Sequence, residues 1–393
     1  MCDVIGDAYM LSRRRLLRSA GAAAVAGVAG VAGGGLRPSP AHADDRIAAS
    51  MPDDTEAADA RTRLVLLGVA GGPVWWGTSN GIASAVVVDR DVYVVDCGEG
   101  VWQQYRRAGL DDTAVLATLR GVFLTHLHSD HVVDYCNLWL FGIAGRGLAG
   151  RPDPVQVFGP GNRGSLPPLF GPPPAPPVVN PDNPTPGVED MYAYLVQAFA
   201  ADLNDRMRDT RFPDPRTTVQ AHDIALPAEI IENANIDPAP SIDPFDVYED
   251  AKVKVTATLV RHAPTFPSFA YRFDSADGAI VFSGDTTVTP NLVTLARGAD
   301  ILVHEVVDPA WVESLFPPPL DPIERAIVNH LLSAHTTIEQ VGKVAQDAQV
   351  HTLVLSHLVP GDNPIERWEH ARENFSGRLV VGRDLRQIGV GRT

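Results

Sequence analysis

Short apolar runs separated by glycine and aspartate recur along the first half of the chain. Runs rich in Val, Leu and Tyr and bounded by such turn residues are typical of strands. The pattern predicts elements in the order strand 63–68, strand 84–88, strand 92–95, helix 99–108, helix 112–118 and strand 122–124.

Apolar, β-branched runs resume at residue 252. The second half-chain predicts strands at 252–259, 268–273 and 279–283, a helix at 289–297, a strand at 300–303, a helix at 336–348, a strand at 351–356, a helix at 365–375 and one or two final strands. Thr336-x-x-Glu339 is a capping-box pattern for one of these helices. Because each half-chain runs from strands to helices, we predict an α/β fold with two facing sheets and helices outside.

The segment 161–250 interrupts this pattern. Prolines are dense between residues 172 and 186, where they exclude regular strands and helices, and only a patch at 188–208 has helical character. The segment carries 15 acidic and 5 basic residues. Long loops in compact domains are usually functional lids or disordered linkers. We therefore predict a Pro-rich acidic insertion beside the active site, acting as a lid, with a disordered linker as the alternative.

The N-terminus has the features of a targeting segment. Ser12-Arg13-Arg14-Arg15-Leu16-Leu17-Arg18 fits the twin-arginine pattern, an Ala/Gly/Val run follows, and Ala41-His42-Ala43 is a small-x-small cleavage site. We predict a twin-arginine signal peptide over 1–43, recognised by that export machinery, and a flexible lead-in over 44–62. The remaining domain, 63–393, is then periplasmic, secreted or on the cell surface after cleavage near Ala43.

A membrane anchor is the alternative interpretation of this N-terminal segment. The apolar run is short and rich in Ala and Gly, below the roughly 20 strongly apolar residues that a spanning helix needs. The sequence therefore predicts no stable membrane span.

Acidic residues outnumber basic ones in the chain as a whole. The formal net charge is −16, and without residues 1–43 the balance is 27 basic against 46 acidic residues, or −19. Long nucleic acids bind proteins through Lys and Arg side chains that release counterions. Composition thus gives no reason to expect a nucleic-acid partner. It leaves the oligomeric state open, a homodimer included.

Four ligand-type side chains lie within six residues after the strand at 122–124: His126, His128, Asp130 and His131. Buried imidazole and carboxylate groups are costly unless each has a partner, which a divalent metal supplies. His126 and His128 point to one side of an extended segment, whereas Asp130 and His131 turn into the next helix. The cluster therefore predicts two ions more naturally than one. Nitrogen and oxygen ligands favour zinc, with manganese or iron as alternatives.

The intact His-x-His-x-Asp-His motif resembles the signature of the metallo-β-lactamase fold superfamily. The resemblance extends over nearly the whole chain from residue 63 onward. Within the superfamily the chain is most similar to the ribonuclease Z-like branch, which also includes arylsulfatase-type enzymes. The resemblance implies a four-layer αββα sandwich that carries 161–250 as an insertion, and a two-metal hydrolytic site.

The resemblance also assigns residues beyond the motif. Asp96 matches the aspartate that supports the metal cluster, His262 the third histidine of the first metal, and His357 the last ligand of the second. Asp285 matches the carboxylate that bridges both ions. The implied first ligand set is His126, His128, His262 and Asp285, and the second is Asp130, His131, His357 and Asp285.

Two further matches, Glu305 and His335, resemble the glutamate and histidine that ribonuclease Z-like enzymes use as a dyad. In this interpretation His335 protonates the leaving oxygen or stabilises its charge, and Glu305 keeps His335 protonated. A bridging hydroxide is the expected nucleophile, and Asp130 can accept a proton from the water that supplies it. The alternative is that His335 simply precedes a helix cap.

These residues predict an exported two-zinc hydrolase that cleaves a small phosphodiester or an aryl sulfate ester. A lactonase or β-lactam hydrolase of the same fold and a non-catalytic metal-binding protein are the alternatives. Ribonuclease Z grips tRNA with a basic arm, whereas the insertion at 161–250 is acidic, which disfavours tRNA processing. Trp75 and Trp76 are predicted to line an aromatic substrate's pocket, with packing at its lip as the alternative.

Overall fold

The computed structural model describes residues 57, 60–74, 76–77, 79–111, 114–149, 151–169 and 174–391. The predicted signal peptide, most of the lead-in and Trp75 lie outside these residues. Within the described ranges, no helix combines the length and the apolar character needed to cross a membrane.

Strands form the centre of the molecule. In chain order they are β1 (Thr62–Gly68), β2 (Ala83–Val88), β3 (Asp91–Val95), β4 (Leu119–Phe123), β5 (Val155–Pro160), β6 (Val219–Ile224), β7 (Phe245–Glu249), β8 (Val253–Leu259), β9 (Phe269–Ser275), β10 (Gly278–Phe282), β11 (Ile301–Val307), β12 (Thr352–Val359), β13 (Arg378–Val381) and β14 (Gln387–Val390). One seven-stranded sheet has the order β14-β1-β2-β3-β4-β5-β6, and the other has the order β13-β12-β11-β10-β9-β8-β7.

Helices connect these strands. They are α1 (Val101–Arg107), α2 (Ser129–Val132), α3 (Tyr135–Ala144), α4 (Val188–Ala198), α5 (Ala200–Asp209), α6 (Pro215–Thr218), α7 (Ala228–Glu232), α8 (Pro290–Leu295), α9 (Pro309–Ser314), α10 (Pro322–Ala334), α11 (Ile338–Asp347), α12 (Ile365–Trp368) and a 3₁₀ helix over Glu369–Asn374. Helix α1 packs on β1, and α8 and α11 pack on β8 and β11. Helices thus cover the outer faces of both sheets.

The alternation of side chains along β1 shows how the layers are held together. Leu64 and Leu66 pack between the two sheets with Phe273, whereas Val65 and Leu67 pack against the helices of the first sheet. Successive side chains of a strand point to opposite faces, so one apolar run serves two cores. The predicted four-layer αββα sandwich is therefore confirmed.

The segment 161–250 is less irregular than predicted. The helical patch is found as α4 and α5, but the segment also contains β6, which pairs with β5, and β7, which pairs with β8. Both are edge strands whose residues are mostly half-buried or exposed, so they lack the apolar runs that marked the inner strands. The prediction of extended, irregular chain is wrong for these strands.

Two local predictions also differ from the structure. Residues 114–118 form a turn instead of the predicted helix, and Leu116 there adopts a φ of 61° while its N–H donates to Asp111. The capping box of α11 uses Thr337 and Gln340, one residue later than predicted. Thr336 instead donates its hydroxyl to the carbonyl of Thr286, at 2.7 Å.

Candidate metal centre

The predicted ligands meet between the two sheets, where several strands end or are distorted. The cluster follows β4, and its second half opens the short helix α2, so Asp130 and His131 turn away from His126 and His128. On the other sheet, the register between β11 and β12 shifts beside His304 and Val306. Bulges of this kind re-aim side chains next to active sites.

The first ligand group gathers His126, His128 and His262. His128 Nδ1 lies 3.0 Å from His126 Nε2 and 3.3 Å from His262 Nε2. Asp285 Oδ2 is 3.8 Å from His126 Nε2 and 3.7 Å from His262 Nε2. Burial lowers the pKa of both His126 and His262 well below the ordinary value, so both imidazoles are neutral and have a free lone pair.

The second ligand group gathers Asp130, His131 and His357. His357 Nε2 lies 3.3 Å from both Asp130 Oδ2 and Asp285 Oδ2. His131 Nε2 lies 3.5 Å from Asp130 Oδ2 and 3.4 Å from Asp285 Oδ1. Asp285 therefore faces both groups, which is the position that the sequence predicted for a bridging carboxylate.

The side chains present fit divalent metals. Zinc–ligand bonds of about 2.0–2.1 Å place tetrahedral ligand atoms about 3.3–3.4 Å apart, close to the spacings above. Asp130 Oδ1, Asp285 Oδ1 and His131 Nε2 are buried without a hydrogen-bond partner among the described residues. Unsatisfied buried polar atoms are rare in native proteins. A cation bound by the second ligand group would satisfy these atoms.

Asp96 holds the cluster from behind, as predicted. Its Oδ2 accepts from His131 Nδ1 at 2.9 Å and from the Thr125 hydroxyl at 2.8 Å, and its Oδ1 accepts from the Thr125 N–H at 2.8 Å. The first of these contacts leaves His131 Nε2 free to face Asp130 and Asp285. A carboxylate behind a metal-binding histidine fixes its tautomer and orientation.

Glu305 and His335 form a buried pair beside the ligand groups. His335 Nδ1 is 3.0 and 3.1 Å from the two Glu305 carboxylate oxygens, and Glu305 also accepts from the Thr286 N–H at 2.8 Å. The His335 ring centroid lies 4.9 Å from that of His262 and 6.0 Å from that of His357. Burial lowers the pKa of His335, but the Glu305 carboxylate outweighs this effect and raises it to about 9.

Comparisons with known proteins agree with this architecture. The family described as "Beta-lactamase superfamily domain" matches residues 201–358. Ribonuclease Z of Mycobacterium bovis (strain BCG / Pasteur 1173P2) is 28% identical over 334 residues, covering 83% of this chain and 98% of the relative. Ribonuclease Z of Mycobacterium tuberculosis (strain ATCC 25618 / H37Rv) is also 28% identical, covering 83% and 97%.

Solved structures show the same fold. The metallo-β-lactamase fold protein YhfI from Bacillus subtilis is 15% identical with a TM-score of 0.52, covering 83% of this chain and 98% of that one. Human tRNase Z, short form, is 16% identical with a TM-score of 0.52, covering 84% and 100%. The chain therefore has the metallo-β-lactamase fold and is similar in sequence to ribonuclease Z. The two ligand groups described above could each hold a divalent ion.

Gly71 and Gly72, two glycines without a predicted role, shape this site. The Gly72 N–H donates to Asp130 Oδ2 at 3.1 Å. A Cβ on Gly71 would lie 2.5 Å from His357 Nδ1 and 2.7 Å from a Val359 methyl group. Gly71 thus leaves room for the His357 ring. Local sequence could not reveal this, because His357 lies almost 300 positions away.

Gly71→Ala is expected to weaken the second ligand group selectively. The added methyl group must displace His357, whereas the first group of histidines is untouched. Metal quantification after dialysis should give about one equivalent where wild type retains two. Gly161→Ala is the matched control, since its Cβ would meet Asp223 no closer than 3.3 Å. Two retained equivalents in Gly71→Ala would show that His357 does not need its present position.

Trp76 serves packing, in line with the alternative interpretation. It is 4% exposed, its indole N–H donates to the Gly71 carbonyl at 2.9 Å, and its ring meets Trp311 edge-on at 5.8 Å. Because the ring is buried behind the Gly71 loop, it offers little surface to an aromatic substrate.

The Glu305–His335 pair predicts a measurable titration. In metal-free protein, NMR of the His335 ring should give a pKa of about 9. Because this pKa is raised above the ordinary value of 6.5, the protonated ring stabilises the fold fully below pH 6.5, and this contribution is lost as the pH rises through about 9. Glu305→Gln removes the largest charge that raises the pKa of His335, so this pKa should fall below about 9. An unchanged pKa would contradict the pairing. His370, an exposed histidine hydrogen-bonded to Glu373, is the internal control.

Proposed function

We propose that this protein hydrolyses a small phosphodiester with two bound zinc ions, with an aryl sulfate as the second substrate class. The observation that carries the proposal is the buried Glu305–His335 pair directly beside the two ligand groups. Cleavage of such esters expels an oxygen anion that needs a proton or a compensating charge. A protonated histidine beside the reacting centre supplies either.

Each residue has a role in this proposal. His126, His128, His262 and Asp285 hold one ion, and Asp130, His131, His357 and Asp285 hold the other. When bound, the ions supply Lewis-acid stabilisation of anionic oxygens and activate water near neutral pH. His335 donates its Nε2 proton to the leaving oxygen, while Glu305 holds Nδ1 and keeps the ring protonated. Asp130 can accept a proton from the attacking water.

The charge of the chain supports a small substrate over a long RNA. The net charge is −16, and the segment 161–250 carries 15 acidic against 5 basic residues. RNA binding depends on clustered Lys and Arg side chains. The relatives named ribonuclease Z support phosphodiester chemistry. The acidic composition of this chain supports a substrate that is smaller than a long RNA.

The lactonase and β-lactam alternatives are weakened by the same pair. Neither alternative gives a reason for Glu305 and His335 to lie beside the ligand groups, yet the ring centroids of His335 and His262 are 4.9 Å apart. A non-catalytic metal protein gives no reason to bury an ion pair beside the ligands, where each charge costs desolvation energy.

Export remains part of the proposal and rests on the sequence of residues 1–43. The twin-arginine pattern followed by Ala41-His42-Ala43 supports cleavage after Ala43. Intact-mass analysis of the protein from its native host should find a chain beginning near Asp44 outside the cytoplasm. Full-length protein confined to the cytoplasm would reject export without affecting the proposed chemistry.

A combined metal and substrate assay tests the function. Full-length protein loaded with zinc, manganese or iron should retain two equivalents. It should hydrolyse bis(4-nitrophenyl) phosphate or 4-nitrophenyl sulfate faster than a γ-lactone or a chromogenic cephalosporin. A precursor tRNA with a 3′ trailer is the comparison for ribonuclease Z activity. Failure on both ester classes with two equivalents bound rejects the proposal, and efficient trailer removal would replace it with tRNA processing.

A further inference from the structure

A large cavity opens next to the metal centre. Its volume is about 800 Å³, and His330 and Leu331 line both this cavity and the smaller space among Asp130, His262 and His335. Ala263 and Pro264, which follow His262, also line it. The cavity therefore adjoins the space among the ligand groups.

The wall of this cavity is apolar and carries no carboxylate. Leu169, Ile236 and Ile323 line it and are 48, 82 and 65% exposed, so its mouth is an open apolar surface. No Asp or Glu is among the described residues that line it, although the chain as a whole has a net charge of −16. Such a lining favours an apolar molecule and does not repel an anion.

Arg163 places a buried positive charge in this wall. It is 5% exposed, donates to the Pro264 carbonyl at 2.6 Å and to the Asn235 side chain, and its Nε has no partner among the described residues. Both acceptors are neutral, and within the described ranges no carboxylate pairs with this guanidinium. A buried charge is costly unless it is paired.

The other basic side chains of the wall, Arg261 and His330, add no unpaired positive charge. Arg261 is already paired with Asp237. Burial lowers the pKa of His330 to about 4, so its ring is neutral at pH 7. Arg163 is therefore the cavity's uncompensated cation among the described residues.

We propose that this cavity binds the non-reacting part of the substrate, an apolar aryl or acyl body that carries a carboxylate or sulfonate, with the anionic group paired to Arg163. This inference specifies which chemical groups the substrate carries away from its ester. It rests on the proposed function only in treating the cavity as part of the substrate site. The ester to be cleaved then lies at the metal centre, at the inner end of the same molecule.

A matched pair of fluorescent probes tests this without requiring turnover. 8-Anilinonaphthalene-1-sulfonate and N-phenyl-1-naphthylamine share their rings and differ by one sulfonate. Full-length wild type should bind the sulfonate probe at least tenfold more tightly, and Arg163→Met should remove that preference while keeping affinity for the neutral probe. Equal affinities in wild type, or a preference that survives in Arg163→Met, would overturn the proposal.

A second variant tests the proposal even if Arg163→Met fails to fold. Ile323→Glu places a carboxylate at the exposed mouth and should weaken the sulfonate probe about tenfold and the neutral probe much less. Ile365→Glu is the matched control, because Ile365 is 46% exposed, also follows a proline at a helix start and lies outside the cavity lining. Equal effects of the two variants would overturn the proposal.

Inhibition separates this inference from the proposed function. If an ester is turned over, the sulfonate probe should inhibit competitively with an inhibition constant equal to its dissociation constant, and noncompetitive inhibition would reject the cavity as a substrate site. If no ester is turned over, the proposed function fails. The comparison of the two probes still shows whether the cavity binds an apolar anion through Arg163. Binding of anionic phospholipid vesicles that Ile323→Glu abolishes, with probe binding unchanged, would overturn the proposal in favour of a lipid surface.

Discussion

Asp285→Asn is expected to abolish metal-dependent hydrolysis and to lower the bound metal from two equivalents to less than one. Asp285 Oδ2 faces His126, His262 and His357, and its Oδ1 faces His131, so both ligand groups depend on this carboxylate. The amide removes the negative charge and turns one acceptor into a donor. Plasma mass spectrometry and ester hydrolysis measure the two effects in parallel.

Thermal unfolding provides an independent measurement of metal binding by Asp285→Asn. A metal that binds only the folded state raises the melting temperature, because it stabilises that state by RT ln(1 + [metal]/Kd). Wild type should therefore be stabilised by added zinc, and Asp285→Asn should not. Asp250→Asn is the matched control, since Asp250 accepts from Tyr93 and Tyr248 far from the ligands and should keep both metals. Two equivalents retained in Asp285→Asn would disprove the bridging position.

His335→Gln is expected to lower kcat by about 10²–10⁴-fold while the bound metal stays at two equivalents. The loss should depend on the leaving group: it should be small for 4-nitrophenolate, which leaves without a proton, and large for an alkoxide. Glutamine can still contact Glu305 but carries no transferable proton. A series of aryl and alkyl phosphodiesters measures this dependence directly.

Two outcomes would contradict this role for His335. A loss of one metal would make His335 a ligand, since it lies close enough to His262 and Asp285 to share an ion with them. An equal loss for all leaving groups would make its role structural. Glu305→Gln provides the comparison: it should shift the upper limb of the pH–rate profile to lower pH, because it removes the group that keeps His335 protonated.

The sandwich was largely predictable, because its inner strands are apolar on both faces. β2, for example, is buried at every position, and such runs stand out in any sequence. The edge strands β6 and β7 were missed, because their half-exposed residues carry little periodic signal. The turn at 114–118 was mistaken for a helix, since its geometry depends on the contact between Leu116 and Asp111.

By itself, the sequence determined the chemistry of the site. The four ligand side chains within residues 126–131 are costly to bury without metal, and the resemblance added Asp285, His335 and the other distant residues one by one. Only the tertiary structure decided how these parts meet. It set Asp285 between both ligand groups, left space at Gly71 for the His357 ring, and put Arg163 into an apolar wall. These relations depend on distances between residues far apart in the chain, which arise only when the two sheets pack face to face.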